Sequence, residues 1–278
     1  MSSPRVPSKE RTTTDRRSNL AAILIAVIVA FLYVSGLPGA LLVDIDVADI
    51  DPVSITLFIN ILFSMAIGLA LIRIVIPGFE VGFTSQKFTS GLRKYGLSGV
   101  FAFLVPFVAV IIGLTPFDHT PTVWKVLFEG IIYFIAVGII EEFFCRGLLQ
   151  NGIAGLLDTR SNPQLLAVLI TATVFGLGHI VALTGEPGWL AASRLLWAIA
   201  LGVYFGAIYV LTGNLWLVAL FHFVVNLSGL PFNFSTQDSY PAISTVIVLT
   251  TYLGLAMYGI HLIRQRDEAR GNLNWSNV

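Results

Sequence analysis

The feature that most constrains this chain is a series of long apolar stretches separated by short polar segments. A helix needs about 20 apolar residues to cross the hydrocarbon layer of a membrane, and eight stretches approach or exceed that length. They lie at residues 20–43, 53–76, 96–116, 122–157, 164–183, 192–212, 214–230 and 240–263. Their hydrophobicity is too continuous for the alternating strands of a membrane β-barrel. We therefore predict an all-α, polytopic membrane helical bundle with about eight transmembrane helices.

The basic residues indicate how the helices are oriented, because cytoplasmic ends of membrane helices collect Lys and Arg. With the N-terminus inside, only Lys125 and Arg194 of the 16 basic residues fall on the outer side. The first outer loop, at residues 43–52, contains four Asp and no basic residue. Both termini are therefore predicted to be cytoplasmic. The first stretch is predicted to be an uncleaved helix, because its apolar run is longer than the usual core of a signal peptide.

This pattern predicts three parts of the chain. Residues 1–18 form a polar, cytoplasmic N-terminal segment, residues 19–263 form the transmembrane bundle, and residues 264–278 form a cytoplasmic tail. The expected environment is a membrane of a prokaryotic cell, which the protein crosses several times. The lipid bilayer is thus one partner, and no nucleic-acid partner is predicted.

The fourth stretch, IIYFIAVGIIEEFFCRGLLQ, contains two acids and one base in an apolar setting. Charged residues inside a membrane helix usually mark a functional site. Glu142 and Arg146 are four residues apart, so they share a helix face and can pair. Glu141 points about 100° away and is free to face a polar cavity as a general base. The alternative is structural: both acids lie solvated near the cytoplasmic interface.

Two later stretches contain histidines in positions that can meet these acids. The polar turn DTRSNPQ lies midway between Glu141 and His179, so an antiparallel hairpin folded there places the two residues at one depth. His222 and Asn226 are four residues apart and share a helix face. Both can donate hydrogen bonds, which suits stabilisation of an oxyanion. The alternatives are hydrogen bonds between packed helices for His179 and an interhelical polar clamp for the other two residues.

Two further residues in the fourth stretch need an interpretation. Cys145 is the single cysteine, so no intrachain disulfide forms. It is interpreted as an apolar filler rather than a nucleophile, because free cysteine packs as a small hydrophobic residue. Glu129 is a candidate for lining a pocket. Hydrolysis in a membrane needs water, so we expect a cavity among spans four to seven that opens to the cytoplasm or to lipid.

The segments EEFFCR, FGLGH and HFVVN resemble, in this order and on separate helices, the EExxxR, FxxxH and HxxxN motifs of the CAAX protease and bacteriocin-processing family. This family was formerly called the abortive-infection family and includes CAAX prenyl endoproteases. The resemblance covers about residues 120–230, which we take as the catalytic core. It implies an intramembrane endopeptidase that acts on a peptide or a lipidated protein.

The resemblance also implies a role for each motif residue. Glu141 and His179 would activate the water that attacks the scissile amide, and His222 and Asn226 would form the oxyanion hole. The remaining two motif residues would brace the site; they are Glu142 and Arg146.

The sequence leaves the cofactor and two other function classes open. Two His and one or two Glu are sufficient for a zinc site with an open position, yet the chain lacks HExxH, and a metal-free hydrolysis that depends on glutamate uses the same residues. The other classes are a non-catalytic scaffold or immunity protein on the same fold and a proton-coupled transporter, since buried Glu and His also relay protons.

Overall fold

The computed structural model describes residues 13–36, 39, 49–113, 120–180, 188–235 and 241–275. Every regular element in this part of the chain is helical, which confirms the all-α bundle. Its helices are α1 (Thr13–Ser35), α2 (Pro52–Val75), α3 (Phe88–Gly113), α4 (Val123–Leu156), α5 (Pro163–Gly178), α6 (Gly188–Thr212), α7 (Leu215–Asn233) and α8 (Ala242–Trp275). Most of the predicted N-terminal segment and most of the acidic loop at residues 43–52 lie outside the described residues.

Seven of the described helices are long and apolar enough to cross a membrane. The exception is α5, which has 16 residues and therefore a length of about 24 Å at 1.5 Å per residue. The protein is an integral, multi-pass membrane protein, and the predicted count of about eight helices corresponds to seven long helices and one short one. The assignment of both termini to the cytoplasm stays a prediction.

Helix α4 is the longest apolar element and is irregular in two places. It has 34 residues, and wider π-helical turns occupy Val126–Ile132 and Phe143–Gln150. Such turns are rare and often occur at functional sites. The second π-helical segment begins directly after Glu142, so the helix changes its pitch where the sequence places the two acids.

Glycines bring the helices close together around α4. A Cβ atom on Gly202 of α6 would lie 2.9 Å from the Ala172 Cα on α5, so only glycine permits this approach. A Cβ atom on Gly152 of α4 would lie 2.8 Å from the Asn19 carbonyl oxygen on α1. These glycines thus bring α6 close to α5 and α1 close to α4.

The connection between α2 and α3 is attached to this core by hydrogen bonds from the Asn214 side chain to its backbone. Asn214, which also caps the start of α7, donates from Nδ2 to the carbonyls of Thr84 at 2.6 Å and Gln86 at 2.8 Å. Phe83 in the same connection stacks on Phe143, with 5.8 Å between ring centroids. The connection therefore packs against the residue that follows Glu142 in the sequence.

Candidate active site

Glu142 lies at the centre of a buried charged cluster. Its Oε1 atom accepts hydrogen bonds from Arg146 Nη1 at 3.1 Å and from His222 Nδ1 at 2.7 Å. The Arg146 guanidinium also donates from Nη2 to the Gly202 carbonyl at 3.1 Å. We call Glu142, Arg146 and His222 the Glu142 cluster. The pairing of Glu142 with Arg146 that the sequence predicted is present in this cluster.

Hydrogen bonding sets the tautomer of His222. An ionised carboxylate only accepts hydrogen bonds, so Nδ1 carries the proton in the 2.7 Å contact with Glu142. The other ring nitrogen, Nε2, lies 3.6 Å from Glu141 Oε2, which is longer than a direct hydrogen bond. His222 therefore lies between the two acids, bonded to Glu142 and facing Glu141.

Two aromatic rings pack against the Glu142 cluster. The Arg146 guanidinium carbon lies 4.8 Å from the centre of the Phe175 ring and 5.7 Å from the centre of the Phe205 ring. Phe205 also stacks on the His222 ring, with 5.1 Å between the ring centroids. An aromatic face attracts a guanidinium, so these rings hold the cation inside the bundle.

Glu141 has different surroundings, although it is the preceding residue. It lines a cavity of about 210 Å³ together with Tyr33 and His179. We call this the Glu141 cavity. Its other lining residues are apolar or glycine: Ala30, Val34, Phe144, Val174, Phe175 and Gly178. Glu141 is 9% exposed, whereas Glu142 is 0% exposed, so of the two acids only Glu141 reaches an open space.

The position of this cavity differs from the sequence-based expectation. We expected a cavity among spans four to seven, but α1, α4 and α5 supply the residues that line the Glu141 cavity. The physical reason is the close packing of α1 on α4 at Gly152, where any larger residue would clash with the Asn19 backbone. No pattern in the sequence identified α1 as a neighbour of the motifs.

His179 follows the last residue of α5 and lines the cavity opposite Glu141. Its Nδ1 atom lies 2.8 Å from the Phe175 carbonyl oxygen. A carbonyl only accepts, so Nδ1 carries a proton, and in the neutral ring the lone pair is then on Nε2. A neutral imidazole in this tautomer can accept a hydrogen bond or a proton. Glu141 and His179, which the hairpin argument placed at one depth, thus line the same cavity.

Asn226 lies apart from the other motif residues. It lines a second cavity, of about 160 Å³, with residues that include Trp197 and Tyr252. None of the other predicted site residues lines that cavity. Glu129 is also elsewhere: it pairs with Lys125 at 3.4 Å and accepts a hydrogen bond from the Asp51 backbone. Glu129 was predicted to line a pocket, but it is not among the residues that line the Glu141 cavity.

Cys145 is fully buried in a small apolar cluster with Phe175 and Ala198. This surrounding matches the interpretation of the thiol as an apolar filler.

Comparison with known proteins adds one finding. Residues 123–228 match the family model for Rce1-like proteins, described as type II CAAX prenyl endopeptidases. This stretch of the chain is therefore similar to that family. The match confirms the family resemblance that the three motifs indicated, and the family is one of proteases. A search of curated proteins returned no match, and neither did a search of solved structures.

The metal that the family motifs left open was tested against the arrangement of the side chains. Among the described residues, no group of three or more His, Cys, Asp or Glu side chains could hold a metal ion. The reason is visible at His222, whose Nδ1 atom is bonded to Glu142 while its opposite nitrogen faces Glu141. A single ring that lies between the two acids keeps their oxygens from converging on one point, so Glu141 and Glu142 do not share a metal ion in this arrangement.

Two residues of the site were missed by the sequence analysis. Tyr33 of α1 donates a hydrogen bond from its hydroxyl to Glu141 Oε1 at 3.2 Å. Phe175 contacts the rings of His179 and His222, with centroid distances of 4.8 Å and 5.9 Å. Phe175 is the first residue of the family's FxxxH motif, which offered a signal. Tyr33 had only a weak signal, a polar hydroxyl within an apolar span.

Proposed function

We propose that this protein is an intramembrane endopeptidase that hydrolyses a peptide bond at the membrane with a water molecule activated by Glu141 and His179. The observation that carries the proposal is the Glu141 cavity, which brings a carboxylate and an imidazole lone pair to one enclosed space. The match of residues 123–228 to a protease family supports it.

The chemistry assigns different tasks to the two acids. Glu141 takes one proton from the attacking water while the water oxygen bonds to the scissile carbonyl carbon, and His179 Nε2 accepts a hydrogen bond from the second hydrogen, which stays on that oxygen. The proton held by Glu141 then passes to the departing amine nitrogen as the carbon–nitrogen bond breaks. Glu142 is engaged by Arg146 and His222, so its task is to hold His222 in place.

The oxyanion hole is the part of the mechanism with the least geometric support. His222 faces Glu141, which favours a position next to the reacting carbonyl. Asn226 is one helical turn further along α7 and faces another cavity. We propose both as oxyanion donors on the resemblance: Asn226 through its amide, and His222 through Nε2 when the ring is doubly protonated, because its Nδ1–H is bonded to Glu142. Substitution of each by Ala tests them separately. Loss of a true donor lowers kcat by about 10²–10³-fold; an Asn226→Ala variant with unchanged kcat removes Asn226 from the mechanism.

The lining of the cavity favours an apolar substrate group. Val34 of α1 and Val174 of α5 both line it and are both exposed on the outside of the bundle. In a membrane this outer surface faces lipid, so a chain that is already in the bilayer can approach Glu141 from the side. We therefore propose a peptide or lipidated protein as the substrate class.

The first experiment is cleavage of a peptide library by the purified protein in nanodiscs. The wild type is compared with Glu141→Gln, and both are repeated with a chelator. Glu129→Gln is the matched control, because it makes the same change on the same helix at a residue paired with Lys125. Cleavage that is lost only in Glu141→Gln supports the proposal. Equal product from wild type and Glu141→Gln contradicts it and favours a scaffold or a transporter.

A further inference from the structure

Helix α1 lies outside the matched residues, yet it supplies a direct contact to the proposed base. The Tyr33 hydroxyl donates to Glu141 Oε1 at 3.2 Å, across 108 positions of the sequence. Tyr33 also lines the Glu141 cavity. A hydrogen bond to a charged group is stronger than one between neutral groups, so this contact restricts how the carboxylate can rotate.

Packing alone does not account for a tyrosine at this position. The Tyr33 ring lies 6.4 Å from the Phe144 ring, centroid to centroid, and a phenylalanine would keep that contact. The hydroxyl adds a polar group in the interior of an apolar helix, where it requires an acceptor. The charged acceptor that the structure provides is the Glu141 carboxylate, and the Tyr133 hydroxyl is a second hydrogen-bonding neighbour.

The position of Tyr33 is set by helix packing on both sides. Towards one end of α1, the Asn19 backbone lies against Gly152 of α4. Nearer to Tyr33, a Cβ atom on Gly68 of α2 would lie 2.8 Å from Val29 and 2.7 Å from Phe143. Gly68 therefore lets α1, α2 and α4 meet at one level. These contacts fix the level of α1 relative to α4, and with it the level of the hydroxyl.

We propose that Tyr33 is a positioning residue for Glu141. Its hydrogen bond engages Oε1, so that the carboxylate turns Oε2 towards His222 Nε2 and leaves that oxygen to take the proton of the attacking water. This inference rests on the proposed function and extends the site beyond the residues that match the family. It makes α1 a functional part of the enzyme and not only a membrane anchor.

Tyr33→Phe tests the proposal with a matched control in Tyr204→Phe. Both changes remove one phenolic hydroxyl and its hydrogen bond, but the Tyr204 hydroxyl is bonded to Ser98, away from Glu141. We expect Tyr33→Phe to lower kcat by roughly 10- to 100-fold, as for a lost hydrogen bond to a charged group, with KM within about twofold of wild type. Tyr204→Phe should keep kcat. A Tyr33→Phe variant that keeps kcat, or that changes only KM, overturns the proposal.

A second measurement does not depend on cleavage. Infrared difference spectra of wild type and Glu141→Gln identify the carboxyl band of Glu141 as the band that the substitution removes. We expect Tyr33→Phe to shift this band, because its hydrogen-bond donor is gone, and Tyr204→Phe to leave it in place. An unmoved band in Tyr33→Phe overturns the proposal whether or not any peptide is cleaved. A shifted band in a protein without peptidase activity upholds the contact and rejects the proposed function alone.

Discussion

The Glu142 cluster and the Glu141 cavity are next to each other but have opposite properties. In the cluster, Glu142 is fully buried and bonded to both Arg146 and His222. In the cavity, Glu141 is slightly exposed, faces open space and has a tyrosine hydroxyl as its hydrogen-bond donor. The difference teaches that two consecutive glutamates on one helix can be assigned separate tasks by their neighbours, one structural and one chemical.

The cluster is an expensive way to stabilise a bundle. Transfer of charges out of water costs several kcal/mol per ion, and pairing only partly compensates for this loss. Glu142 Oε2 and Arg146 Nε are buried, and no described residue bonds to them. A cluster with such atoms is better explained by the need to orient His222 than by a gain in stability.

The sharpest test of the comparison is Glu141→Gln. Removal of a general base lowers kcat by about 10²–10⁴-fold, while the free energy of unfolding should change by less than about 1 kcal/mol, since the amide fits the same space. Cleavage assays and unfolding in mixed micelles measure the two quantities on one preparation. A large loss of stability would show that Glu141, like Glu142, has a structural role.

Arg146→Met, in contrast to Glu141→Gln, should strongly lower the free energy of unfolding. It leaves the Glu142 carboxylate buried without its guanidinium, which costs about 3–5 kcal/mol. The double variant Glu142→Gln, Arg146→Met should recover part of this loss, because it also removes the unpaired charge. Unfolding in mixed micelles gives all three values. A single variant that unfolds within about 1 kcal/mol of wild type would mean that solvent reaches the cluster.

Gly202→Val tests whether packing between α5 and α6 supports the cluster. Its side chain would meet the Ala172 backbone, and such overpacking costs about 1–3 kcal/mol. The Gly202 carbonyl that accepts from Arg146 should move with it. Gly254→Val is the matched control, because no atom lies within 4 Å of a Cβ there. Equal stability of the two variants would contradict a close approach of α5 and α6.

Cys145→Ala should have the smallest effect. It removes one buried sulfur from the apolar cluster with Phe175 and Ala198, at a cost of about 1 kcal/mol. Activity should remain, because the thiol is not a nucleophile. A Cys145→Ala variant that folds but no longer cleaves peptide would reverse this interpretation and move Cys145 into the catalytic site.

The fold was largely predictable from the sequence. Apolar runs of about 20 residues specify membrane helices, because an unpaired backbone is too costly in lipid. Helices α2, α4 and α7 begin and end within three residues of the predicted limits, whereas α1 and α3 begin seven and eight residues earlier than predicted. Within the site, the spacing of Glu142 and Arg146 on one face was sufficient to predict their pairing. These features depend on the local period of a helix, which short segments of sequence contain.

Contacts between distant helices were not predictable in the same way. Asn226 lines one cavity whereas Glu141 and His179 line another, which the motif spacing did not indicate. Tyr33 and Glu141 are far apart in the sequence, and no period connects them. Their contact results from small residues such as Gly152 and Gly68, which bring α1 next to α4.

The sequence by itself determined that this is a multi-pass helical membrane protein with a segment that resembles the CAAX protease family. It did so because hydrophobic length and motif spacing are local properties. Only the tertiary structure decided which helices line the cavity that Glu141 faces, and that α1 completes its wall. Those choices depend on how closely the helices approach, and this is set by side-chain volumes on surfaces that the chain brings together only when it folds.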